Sequence, residues 1–300
     1  MTALPDGADR AAYLYLSELD RAGLMWEWLR RDPAYIGWYV RASRATAGCL
    51  PAPLRFRLLL AEDPALPAPA ARILWRADLD PAALVVRART TRGRDPEALP
   101  LQRLRPWLSL ARGRDGREHA VLSDGRHHLR LDVEEGTLGE GPVLLHYRLP
   151  RSGSWDAAIG ALRRLRVLCV ERRFPSELFP SEPHPERWIE LLRASDALRA
   201  GASQRDVAEL VFGIERTRAE WHGPSESLRS RVRRLIGEVS RLAAGGYRRL
   251  MRDAEPGERR RQSRSDQCQR DASLAQTTAP AQDPVRRAAK LERNALTATD

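Results

Sequence analysis

The chain has 300 residues, 42% of them hydrophobic and eight of them Trp, enough apolar material for one or two domains with a sizeable core. It contains no run of about 18 apolar residues, which argues against a membrane span, and its first ten residues, MTALPDGADR, lack the apolar centre of a secretory signal. Cys49, Cys169 and Cys268 lie far apart and form no C-x-x-C pair, which speaks against a disulfide framework or a zinc site and suits a reducing cytoplasm.

The net charge is +11, yet Lys290 is the only lysine among 51 basic residues, so arginine fills ordinary surface positions and the total says little. The distribution says more. Residues 187–252 hold 14 basic and 8 acidic groups, placing +6 of the +11 in 66 residues. A concentrated excess is the electrostatic footprint of a polyanion-binding region; chance clustering on a helical surface is the plainer alternative.

The first 45 residues predict compact helices. AAYLYLSELDRAG spaces Tyr13, Leu16 and Leu19 near-helically, with Gly23 as an interruption. LMWEWLRRDP should stop before Pro33, and AYIGWYVRA makes another short helix. Their dense Trp and Tyr residues read as the filling of a small core rather than as a base-stacking surface. From residue 54 the period changes to two. LRFRLLL, RILWRA and ALVVRART read as strands, joined by the proline-rich EDPALPAPAA. HAVLSDGRHHLRLDV reads as a hairpin with a two-residue turn at Asp124-Gly125, and PVLLHYRLP closes the β region near residue 150.

Helices then return. In SWDAAIGALRRLRVLCVERR the face Trp155, Ile159, Leu162, Leu165 and Cys169 is the expected buried one, with Arg163 and Arg164 outside. After the loop FPSELFPSEPHP, PERWIELLRASDALRAG starts at a proline and ends at Gly201. SQRDVAELVFG opens with a capping-box-like Ser203-x-x-Asp206 and should bury Val207, Leu210 and Val211. ERTRAEWH supplies an extra helical turn with Trp221 inward, and Ser225 is the expected cap of the next helix. Residues 253–300 lose periodicity and read as a disordered tail.

The arginine-rich stretch from residue 227 separates cleanly on a helical wheel. Leu228, Val232, Leu235, Ile236, Val239 and Leu242 form one stripe, roughly 120° wide at about 100° per residue. Ser230, Arg233, Arg234, Gly237 and Arg241 lie opposite, and Arg229 and Arg231 flank the stripe. A membrane-surface helix would carry aromatics on its apolar side, and this one has none. A coiled coil would hold its seam for three or four heptads, whereas Gly245-Gly246 ends the pattern after about two. A docked stripe with arginines outward is what a DNA-reading helix needs. A helix ending at glycine, a capped second helix and an arginine-rich third follow the tri-helical helix-turn-helix plan, although the connection from Gly213 to Pro224 exceeds a standard turn. The candidate DNA-binding residues are Gln204, Arg205, Arg229, Ser230, Arg233, Arg234, Arg241 and Arg248.

AGASQRDVAELVFG and SESLRSRVRRLIGEVSRLAAGGYRRLM resemble the RovC-type DNA-binding domain family of proteobacterial regulators. GREHAVLSDGRHHLRLDV, PVLLHYRLP and RFPSELFP match that family's β-rich portion. AAYLYLSELDRAGLMWEWLRRDPAYIGWYV is similar to the short transcriptional-regulator-like domain often found ahead of it. The resemblance spans about residues 10–251. It implies a transcriptional regulator similar to the activators of integrative and conjugative elements that switch on excision genes, and it implies no catalytic motif.

No G-x-S-x-G, Walker P-loop, H-E-x-x-H or G-x-G-x-x-G is present. His127-His128 and Glu134-Glu135 are adjacent pairs on a strand and so point to opposite faces; solvated hairpin histidines are expected. Asp78 and Asp80 read as turn residues before Pro81. The reading is therefore a non-enzyme with no cofactor and no metal. Its partners are double-stranded DNA, with RNA polymerase and a second copy of the chain as candidates, and no membrane. The fold class is α+β. It comprises an N-terminal helical unit (8–45), a mostly antiparallel β-rich domain (51–150), a C-terminal helix-turn-helix-like domain (151–252) expected to bind DNA by itself, and the tail (253–300). The alternative is an interaction protein whose arginine helix binds RNA or an acidic partner.

Overall fold

In the computed structural model residues 5–250 are described, apart from 6, 46–49, 92–94, 100, 114, 150–154, 181, 183 and 223–226. Cys49, Cys268, the Ser225 cap and the tail expectation lie outside the described residues. The fold is α+β: helices, then a five-stranded sheet, then helices.

Ala11–Glu18 forms a 3₁₀ helix. Tyr13, Leu16 and Leu19, all buried, repeat every three residues, the period at which 3₁₀ side chains eclipse. The helix α1 (Arg21–Leu29) follows, capped by Asp20, whose carboxylate accepts the Gly23 N–H at 2.9 Å. Gly23 therefore lies inside a helix rather than interrupting one. Helix α2 (Pro33–Ala45) starts at the proline, and Trp26 and Tyr35 meet edge-to-face at 5.8 Å.

The expected strands at 54–60 and 72–77 are not strands. Leu54–Phe56 is a 3₁₀ turn after Pro53, and Arg57 sits at φ 62°, a left-handed conformation that breaks an extended run. Only single bridges remain, Pro51 with Leu60 and Leu58 with Trp75. Alternation survives as buried Phe56 and Leu58, but the left-handed Arg57 between them keeps the segment out of a continuous ladder.

The sheet consists of β1 (Leu84–Thr90), β2 (Leu108–Arg112), β3 (Glu118–Ser123), β4 (His128–Glu135) and β5 (Val143–Arg148), with the short helix α3 (Leu101–Leu104) between β1 and β2. The order is β2-β3-β4-β1-β5, antiparallel except for the parallel β1–β4 pair. The β3–β4 connection has four residues, 124–127, rather than two, because Ser123 pairs with His128. The Asp124 carboxylate holds the Arg126 and His127 N–H groups at 2.9 and 2.8 Å, and Gly125 takes φ +89°. Helix α4 (Trp155–Glu171) covers one sheet face with Ala158, Ala161, Leu165 and Leu168. Of the expected face, Leu165 is buried and Leu162 and Cys169 pack against the sheet core, whereas Trp155 is 48% exposed and Ile159 37%, a correction at the helix's first two turns.

Helices α5 (Pro185–Arg199), α6 (Gln204–Phe212), α7 (Ile214–Glu220) and α8 (Ser227–Ala243) complete the chain, and α5, α6 and α8 pack against one another pairwise. The anticipated extra turn is α7. The Ser203–Asp206 capping box is formed, at 3.2 and 2.8 Å. Of α6, Val207 and Ala208 are buried, while Leu210 and Val211 are half-buried. Every residue of α5 from Leu191 to Ala197 is buried, so the helix has no solvent face over two turns. It lies between the N-terminal 3₁₀ helix on one side and α6 and α8 on the other.

That position makes one core out of both ends of the chain. Tyr13, Trp26 and Leu29 belong to the same buried cluster as Leu192, Val207 and Leu235. A polar network crosses it. Arg31 Nε donates to both Asp196 oxygens at 3.0 Å, Tyr13 donates to Asp196 at 2.7 Å, and the Glu27 carboxylate takes Arg31, Arg30 and the Ala68 N–H. Burial opposes the Arg31 charge, but Glu27 and Asp196 outweigh it and hold its pKa above the ordinary arginine value. Gly7 (φ +92°) lies where a Cβ would come within 2.6 Å of the Arg193 carbonyl, and its own carbonyl accepts from Arg193 Nε at 2.9 Å.

Candidate nucleic-acid interface

Helix α8 docks as its periodicity predicts. Leu228, Val232, Leu235, Val239 and Leu242 are buried, and Ile236 packs partly against the same core. Its polar arc is shaped by what happens at the edge. Glu238, the one carboxylate between residues 227 and 243, is drawn aside by Arg187 of α5 at 2.6 Å. Arg231 is drawn aside as well, its guanidinium lying 5.0 Å from the Phe212 ring at the end of α6. The remaining arc, roughly 140° at about 100° per residue, holds Arg229, Ser240, Arg233, Gly237, Ser230, Arg241 and Arg234, and no acid. Arg233, Arg234 and Arg241 are exposed; Arg229 and Ser230 are half-buried. Among the described residues, no carboxylate lies within ion-pair distance of Arg229, Arg234 or Arg241.

Gly237 sits at the centre of this arc, and a Cβ added there would meet nothing within 4 Å. No packing within the molecule requires the glycine, which costs the helix about 1 kcal/mol relative to alanine. The helix ends at Gly245, φ +105°, as the Gly-Gly pair predicts.

The other three candidates are placed differently. Gln204 and Arg205 are exposed on the first turn of α6, where Arg205 pairs with Glu209 at 3.2 Å. Arg248 lies beyond α8 in a 3₁₀ turn, folded over the Tyr247 ring at 5.2 Å, with its Nε buried. Sequence reasoning missed the Arg187–Glu238 and Arg231–Phe212 contacts. Both join different helices, and no local spacing signals them.

The histidine pair also differs from expectation. His128 is buried, and His127 is half-buried, its Nδ1 3.0 Å from Asp124. His127 lies 4.5 Å from the Phe179 ring, and His128 is buried against Asp20, its N–H at 2.6 Å and Nδ1 at 3.0 Å from the carboxylate. The hairpin tip is thereby bound to the cap of α1. Glu134 pairs with Arg148 at 2.7 Å, and Asp80 is a turn residue accepting the Ala82 N–H at 2.9 Å. Among the described residues, no cluster of three or more metal-ligating side chains occurs, and no helix is long and apolar enough to cross a membrane.

An acid-free arginine arc on a docked helix is a surface suited to a polyanion, and it lies within a segment that resembles a known family. Residues 148–252 match the family described as "T6SS, Transcription factor, DNA binding domain". Residues 6–58 match the "Proteobacterial transcriptional regulator-like domain". Residues 148–252 are thus similar to a RovC-type DNA-binding domain and residues 6–58 to a regulator-like domain, in the order the resemblance implied, and the two together support a transcription factor. No curated protein matches the chain.

Proposed function

We propose that the protein is a sequence-specific transcriptional regulator that binds duplex DNA through the polar arc of α8. The single observation that carries this reading is the acid-free arc, with Glu238 held away by Arg187, inside the segment that matches the DNA-binding family. Arg229, Ser230, Arg233, Arg234 and Arg241 are the proposed contacts, with Gln204 and Arg205 of α6 as a second group in a helix-turn-helix-like arrangement and Arg248 behind them. Gly237 admits the sugar-phosphate wall between the arginines. The protein acts without catalysis, in the cytoplasm. Its resemblance to excision regulators supports activation as its direction of control and an integrative element as its setting.

The test is footprinting of the full chain on DNA upstream of its own and neighbouring genes, in the presence of excess competitor duplex. A discrete protected site that survives competitor is expected. Binding that competitor removes entirely, or tighter binding to RNA, would favour the interaction-protein reading instead.

A further inference from the structure

The sheet face turned away from α4 carries a polar group. Asp132 of β4 stands opposite His119 of β3, and its carboxylate lies 2.9 Å from His119 Nδ1 and 3.1 Å from Arg130 Nε. Burial works against the Asp132 charge, but His119 and Arg130 outweigh it and hold its pKa below the ordinary carboxylate value. An ionised carboxylate only accepts, so in the neutral imidazole Nδ1 carries the proton and Nε2 is left as an acceptor. The Arg130 Nη2, 3.3 Å from the same Nδ1, therefore has Asp132 and not the ring as its acceptor. Among the described residues, nothing donates to Nε2.

His119, Arg130 and Asp132 line a cavity of about 980 Å³ over this face. Its other walls are largely apolar, with Trp38 of α2 and Pro51, Pro53, Leu54 and Leu58 of the segment that follows. Leu54 is 69% exposed, an apolar side chain that the fold leaves uncovered. The fixed charges of the lining cancel, Arg76, Arg112 and Arg130 against Asp78, Asp115 and Asp132. Each is paired besides: Arg76 with Asp78 at 3.3 Å, Arg112 with Glu118 at 3.0 Å and Asp115 with Arg117 at 3.7 Å. Gly113 is also a wall, and a Cβ there would stand 3.0 Å from His119 Nε2 and 2.6 Å from Asp115 Oδ1. Its φ is not positive, so the backbone does not demand glycine; the missing side chain keeps Nε2 open.

We propose that this cavity binds a neutral, flat aromatic small molecule whose hydroxyl or N–H donates to His119 Nε2. The volume lies at the upper end of the range of small-molecule sites, about 300–1,000 Å³, and apolar walls with a few convergent polar groups are their usual make-up. Cancelled and paired charges offer an ionic ligand no counter-charge for the water it would lose, which selects a neutral one. The open acceptor selects a donor. Trp38 and the two prolines present flat faces to a ring, and the ligand covers Leu54. None of the lining residues belongs to α8, so ligand and DNA occupy separate surfaces and the regulator has a chemical input of its own.

The experiment is isothermal titration calorimetry of the full chain with 2-naphthol and with 2-methoxynaphthalene, the same ring system without the donor. Saturable binding of 2-naphthol is expected, with the ether about three- to tenfold weaker for want of one hydrogen bond. His119→Phe keeps a ring in place and leaves Asp132 its partner Arg130. In that variant the affinity for 2-naphthol should fall to that of the ether, and the affinity for the ether should stay as it was. Should the variant fold poorly, the nitrogen resonance of His119 Nε2 in the wild type decides the matter: it should move on adding 2-naphthol and stay on adding the ether. No saturable binding of 2-naphthol, equal affinity for the two compounds, or an Nε2 resonance that 2-naphthol leaves in place would overturn the proposal.

Discussion

The arginines buried between the two ends of the chain and the arginines on α8 are the same residue type put to opposite uses. Arg31 is 3% exposed and is fixed on three sides by Glu27, Asp196 and a main-chain carbonyl. Arg234 and Arg241 are exposed and have no carboxylate in reach among the described residues. In the first region charge is spent on joining α1 to α5; in the second it is kept available by moving the local acid away. In a chain with one lysine among 51 basic residues, the number of arginines therefore says nothing about function, and their surroundings say a great deal.

The largest effect expected from this contrast is on domain autonomy. Deleting residues 1–45 removes Tyr13, Trp26 and Leu29 from the shared core and leaves Asp196 without Arg31. The shortened chain, and equally the 151–252 piece, which lacks the same partners, should be unfolded by circular dichroism and silent in DNA binding; a folded, DNA-binding piece would show that the joint is dispensable. Next in size is Arg31→Ala, which takes the bidentate partner from buried Asp196 and leaves buried Glu27 with Arg30 as its one cation, and should cost about 3–5 kcal/mol in urea unfolding. Gly237→Ala sharpens the other side. It should stabilise the protein by about 1 kcal/mol while weakening DNA binding, whereas a gain in both would show that nothing approaches that point of the helix.

The smallest effect concerns pH. Burial works against a charged His128, but Asp20, Asp124 and Asp80 outweigh it, so its pKa stands above the ordinary 6.5. A raised imidazole contributes its full stabilisation below 6.5 and loses it as pH climbs through the raised value. The melting temperature should therefore fall more steeply above pH 6.5 in the wild type than in His128→Gln. Equal slopes would mean that the hairpin latch on α1 does not titrate.

What was legible in the sequence was local. The stripe of α8, the Ser203 capping box, the helix stops at Gly201 and Gly245 and the turn at Gly213 all follow from neighbours within one or two turns. The α5 helix was legible as a helix but not as a central one, since its partners Arg31 and Tyr13 lie 165 and 183 residues from Asp196. For the same reason His128 read as solvated: Asp20 is 108 residues away. The misread strand at 54–60 had the right alternation, and the 3₁₀ turn after Pro53 and a left-handed Arg57 decided against it. On the candidate site, the arginines could be named from the wheel alone, whereas the clearing of acid from their arc could not, because Arg187 and Glu238 are 51 residues apart.

The central claim is that the α8 arc contacts DNA and does not hold the fold. A salt-titrated binding series on Arg234→Ala and Arg241→Ala, with thermal melts alongside, tests it most directly. Stability should change by less than about 0.5 kcal/mol in each. Affinity should fall by about 1–3 kcal/mol with relaxed sequence preference where a base is read. Where only phosphate is touched, affinity should fall uniformly and the salt slope should drop by about 1. Wild-type affinity and an unchanged salt slope in both variants, with unchanged melting, would contradict the account and take α8 out of the interface.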